Sequence, residues 1–131
     1  MPRKFFSGLF LIVSLVVGVG AFGHASQWWR HVAPALSALG ADPKFTSLLF
    51  SIWLFVSGCM LSFGVILVWV WLRMRKGDQS LLMIPMLIGA FYLVAGVLSC
   101  IWVGPFFALF VVLGFLLCLS ALGMRRAQTA R

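Results

Sequence analysis

The sequence predicts an all-α integral membrane protein, a four-helix bundle with both termini on the cytoplasmic side. Three observations carry this. Hydrophobic residues make up 63% of the 131 and charged residues 9%, whereas about a quarter of a soluble domain is charged. The apolar residues fall into four long, uninterrupted runs. The basic residues sit in short clusters at the ends of those runs.

The runs occupy 5–23, 48–72, 81–102 and 106–122, or 19, 25, 22 and 17 residues, and none contains Asp, Glu, Lys, Arg or His. A helix needs about 20 apolar residues to cross roughly 30 Å of hydrocarbon. Membrane strands would alternate in polarity with a period of two, and these runs do not. Lipid offers no hydrogen bonds, so the backbone must satisfy itself within each helix.

Each element has boundary signals. The first span begins beside Arg3 and Lys4. Residues 1–25 also resemble a secretory signal, with a basic start, an apolar stretch and the small-residue site Gly23-His24-Ala25. The run exceeds a usual signal core, so the expectation is an uncleaved first helix. An external loop, 24–46, follows. Its Trp28, Trp29, Val32, Leu36 and Leu39 have approximate helical spacing. That spacing fits a short helix lying in the interface, started or bent by Pro34 and ended by Gly40. An ordinary loop anchored by tryptophans is the alternative.

Asp42-Pro43 reads as an N-cap with proline at the first helical position, so the second helix starts ahead of its apolar part. Gly77 closes it after Arg73, Arg75 and Lys76, and Asp78 or Ser80 caps the third. The connection 73–80 is cytoplasmic. Pro85 is expected to kink the third span. Gly104-Pro105 makes a tight turn, so the third and fourth spans form an antiparallel hairpin. The tail 123–131 follows.

Orientation comes from counting cations. Arg3, Lys4, Arg73, Arg75, Lys76, Arg125, Arg126 and Arg131 fall on one side, eight in all, against Arg30 and Lys44 on the other. The positive-inside rule places the eight in the cytoplasm. Trp69 and Trp71 then mark the inner interface, and Trp28, Trp29 and Trp102 the outer one. The expected location is a bacterial cytoplasmic membrane.

Several functions are excluded by what the spans lack. Buried ionisable groups mark proton and ion pathways, and the spans contain none. Proton-coupled export and voltage sensing are therefore set aside. The net charge of +8 is read as topology rather than nucleic-acid binding, because the cations are not arrayed along a groove. Cys59, Cys100 and Cys118 lack metal spacing and read as inert small side chains.

Three residue sets remain as candidates. His24 and His31, seven apart, would share a face of one continuous helix and are weak ligand candidates for haem or a metal. A mid-depth polar layer comprises Ser14, Ser57, Cys59, Ser62 and Tyr92. The Tyr92 hydroxyl is expected to face the bundle and bond Ser14, Ser57, Ser62 or a backbone carbonyl. Small residues four apart, Ser14 with Gly18, Gly58 with Ser62, Ala95 with Ser99 and Gly96 with Cys100, permit close helix packing.

No catalytic motif appears, and no cofactor is expected. The leading expectation is a non-enzymatic structural or accessory membrane component packing against lipid, itself or a larger complex. The alternative is a binder or transporter of an apolar small molecule through a Phe/Trp-lined cavity within the bundle. A haem or redox subunit is a weaker third.

Overall fold

The computed structural model describes residues 2–129, with side chains from Lys4 to Arg125. The side chains of Arg3 and Arg126, and all of Arg131, lie outside the described residues. Every regular element is helical: α1 (Pro2–Gln27), a π-helical turn (Trp28–Val32), α2 (Ala33–Ala38), α3 (Pro43–Arg75), α4 (Met83–Trp102) and α5 (Ala108–Thr129), with short 3-10 turns before α4 and α5. Four helical stretches are long and apolar enough to cross a membrane.

The main departure from expectation is at 24–46. No loop opens at His24. The first helix runs on through the π turn into α2 and stops only at Leu39. Pro34 has no N–H to give and its ring crowds the preceding turn. The widened turn lies immediately before it, which lets the helix continue past the proline.

The helix ends where the sequence marks an end. Gly40 has φ +65°, and its N–H bonds Ser37 O at 3.0 Å while Ala41 N–H bonds Leu36 O at 3.0 Å. This is a Schellman cap. The same device closes α3. Gly77 has φ +101°, with Gly77 N–H on Met74 O at 3.1 Å and Asp78 N–H on Arg73 O at 3.3 Å.

Asp42 opens α3, its Oδ1 accepting from Lys44 N–H at 2.8 Å and Phe45 N–H at 3.1 Å. Asp78 Oδ1 accepts from the Ser80 hydroxyl at 2.6 Å and the Ser80 N–H at 3.2 Å, and its Oδ2 pairs with Arg73 at 3.0 Å. The Ser80 bonds, with Arg73 beside them, hold the Asp78 carboxyl below the usual carboxylate range. Pro85 was expected to kink the third span. It falls in the first turn of α4, where a missing N–H leaves no helical bond unmade.

In the bundle α1 packs on α3 along one side and on α5 along the other, and α4 packs on α5. The α4–α5 pair is the antiparallel hairpin that Gly104-Pro105 predicts. By contrast α3 and α4 barely touch. The two tight seams are built on glycine. Gly18 of α1 lies against Gly64 of α3, and Gly89 of α4 against Gly114 of α5. Phe10, Val17, Leu67, Met74 and Leu117 fill the core.

Much of the remaining apolar surface faces outward, including Ile12, Val65, Leu87, Val94 and Phe115. Water would make that surface a liability; a bilayer solvates it. The 33 residues of α3 against the 20 of α4 make α3 longer by about 20 Å. The α1–α2 and α3 helices therefore extend past the α4–α5 hairpin at the end away from Gly77.

Candidate functional site: an aromatic cleft between α3 and α4

Where α3 and α4 fail to meet, a partly open cavity of about 280 Å³ remains. Phe55, Cys59, Met60 and Phe63 line it from α3, and Phe91, Tyr92, Ala95 and Ser99 from α4. Phe107 and Phe110 close it from the start of the last span, and His24 reaches it from α1. Phe55 and Phe91 are exposed, so the mouth is lateral, between the two helices. The rings contact one another edge-on: Phe63 meets Phe91 at 5.9 Å and Tyr92 at 6.5 Å between centroids. Such arrangements suit the quadrupoles of aromatic rings.

One end of the cavity is polar. His24 stacks on Trp53, with centroids 4.4 Å apart and planes within 14°. Trp53 Nε1 donates to His24 O at 2.8 Å. His24 Nδ1 lies 2.9 Å from Ser57 Oγ, and Ser57 Oγ donates to Trp53 O at 3.0 Å. Trp28, which is buried, packs on Phe50 and Trp53 beside them. Trp53 ties the group together, and sequence reading did not single it out. Only its place in an apolar run was visible; its partner, 29 residues away, has no sequence signature.

Serine beside histidine has the composition of a nucleophile and its base. A serine hydroxyl has one proton; with it on the Trp53 carbonyl, the Ser57 oxygen accepts from His24 Nδ1, and an activated nucleophile needs the opposite arrangement.

The polar layer expected at mid-depth does not form. Ser14 is buried but donates to Phe10 O of its own helix at 2.7 Å. Ser62 is exposed on the outside of α3. Cys59 lines the cavity and bonds nothing in the layer. Tyr92 does face the bundle at 3% exposure, yet its hydroxyl is buried without a protein partner. Ser14 and Ser57 satisfy themselves on the carbonyl one turn back and Ser62 faces outward, which removes the serine partners Tyr92 was expected to find.

His24 and His31 are not brought to one site. His24 is half-buried against Trp53 and His31 is exposed, because the π turn between them shifts the helical phase. Among the described residues no group of three metal-ligating side chains comes together.

The expected interface tryptophans divide. Trp29, Trp69 and Trp102 are exposed. Trp28 is instead a packing residue. Trp71 is half-buried and fastens α3 to α1 by donating to Ser7 O at 2.9 Å and Ser7 Oγ at 3.0 Å. Arg75 lies over the Trp71 ring at 4.7 Å.

No protein-family model, no curated protein and no solved structure matches this chain.

Proposed function

We propose that the protein is a non-enzymatic membrane component whose working part is the α3–α4 cleft, which binds an apolar small molecule taken laterally from the bilayer. The carrying observation is the cavity itself. Helices α1 and α3 bring their backbones together at Gly18 and Gly64, and α3 and α4 do not. Instead about 280 Å³ stays open between aromatic walls, nearly twice the roughly 150 Å³ engineered cavity that accepts benzene. The ligand is therefore the size of one or two fused rings.

Filling the cavity tests this. Ala95→Phe places a ring in the space while leaving the glycine seams alone. Binding of naphthalene to the full chain in nanodiscs, measured by calorimetry against empty nanodiscs, should be saturable in the wild type. It should weaken at least about tenfold in the variant, the loss of roughly 1.4 kcal/mol of binding energy. Equal heats in both would remove the cleft reading.

The orientation we favour keeps both ends in the cytoplasm, on the strength of the eight-to-two distribution of cations. Under it a cysteine at Ser37 reacts with a membrane-impermeant maleimide in intact cells, and one at Gln79 reacts only after permeabilisation. The reverse pattern would invert the protein. The cleft's polar end then lies toward the outer leaflet.

A further inference from the structure

His24 is held at the cavity wall by several contacts at once. Trp53 supports its ring face and holds its carbonyl, and Ser57 engages Nδ1. With the Ser57 proton on Trp53 O, the bond to Ser57 assigns the imidazole proton to Nδ1 and leaves Nε2 its lone pair. Nε2 makes no hydrogen bond to the described residues and is not among the sealed, unpartnered atoms. It is a pre-oriented acceptor on a residue lining a largely apolar cavity that is rich in phenylalanine. An acceptor in an apolar site rewards a ligand that brings a donor and penalises an isostere that does not.

The body of the ligand is constrained separately. Phe55, Phe63, Phe91 and Phe110 present rings from three sides, which favours a flat π system over a branched aliphatic one. The length is limited too. His24 is level with Ser57 and Tyr92 with Phe63, six residues apart on α3, or about 9 Å. We infer that the ligand is a small planar aromatic alcohol, of the phenol or naphthol class, whose hydroxyl donates to His24 Nε2 while its rings lie among the phenylalanines. This rests on the cleft being a binding site and adds its chemical selectivity.

The test compares 2-naphthol, 2-methoxynaphthalene and naphthalene by calorimetry on the full chain in nanodiscs, with empty nanodiscs to remove partitioning. 2-Naphthol should saturate at one per chain. It should bind at least about tenfold more tightly than 2-methoxynaphthalene, which has the same rings and oxygen but cannot donate. His24→Phe should bring that ratio close to one while naphthalene still binds. If the three compounds bind the wild type equally, the aromatic-alcohol assignment is wrong and the cleft reading stands. If none binds saturably and Ala95→Phe changes nothing, the cleft reading fails as well. The wild-type comparison decides the assignment even if His24→Phe does not fold.

Discussion

Gly64→Ala should destabilise the bundle by about 1–3 kcal/mol, the usual range for overpacking, while Gly18→Ala across the same seam should cost far less. The asymmetry is geometric. A Cβ on Gly64 would fall on the Gly18 Cα and stand 2.6 Å from Gly18 N and 3.3 Å from Ser14 O. These are all backbone atoms, so no side chain can turn aside and α1 must move off α3. A Cβ on Gly18 meets the Gly64 Cα at 3.4 Å, an ordinary contact.

Gly58 supplies the control. It lies on the same helix with open space around it, and alanine there should be neutral or stabilising, since glycine costs about 1 kcal/mol of helix propensity. Unfolding midpoints in mixed detergent, followed by circular dichroism, give the order. If Gly64→Ala and Gly58→Ala unfold together, the seam is not as close as described.

Trp53→Ala should be the most damaging substitution at the cleft, at about 1–3 kcal/mol. The estimate is assembled from an aromatic stack of about 0.5–1.5 kcal/mol and an interhelical hydrogen bond of roughly 0.6–1.7 kcal/mol in a membrane setting. The large transfer term that makes a buried tryptophan costly to lose in water is mostly absent, because lipid solvates the ring in the unpacked state as well. Trp53→Phe keeps a ring under His24 and loses only the bond to the His24 carbonyl, so it should fall between wild type and Trp53→Ala. The same detergent titration reads all three. Equal loss in the two variants would mean that the hydrogen bond, and not the stack, holds α1 to α3 at this level. Because Trp53 orients His24, Trp53→Ala should also reduce the preference for 2-naphthol over its methyl ether.

Some of this architecture was legible residue by residue. Asp42-Pro43, Gly77 and Gly104-Pro105 mark ends because their backbone chemistry is local: a capping carboxylate, a left-handed φ, a missing N–H. Four uninterrupted apolar runs mean four helices long and apolar enough to cross a membrane, because nothing else satisfies a backbone in hydrocarbon. Continuation of the first helix through 24–38 was not legible. It depends on a π turn ahead of Pro34, whereas the spacing of Trp28, Trp29, Val32, Leu36 and Leu39 marks at most a separate short helix.

The helix rotations were also hidden, and the site depends on them. In water a helix announces its buried face by its polar one. In spans that are apolar all round, that contrast disappears. Ser62, expected inside, points out; Trp28 is buried against Phe50 and Trp53; Tyr92 points inward but finds none of the serines expected to bond it. The residues alone mark the chain as helical, with four stretches long and apolar enough to cross a membrane and with most ends set by local chemistry. Only the tertiary structure decided which helices meet. Backbone contact at Gly18–Gly64 and Gly89–Gly114 closes two seams. No comparable contact closes α3 on α4, and the gap between them becomes a cleft with His24 at its polar end.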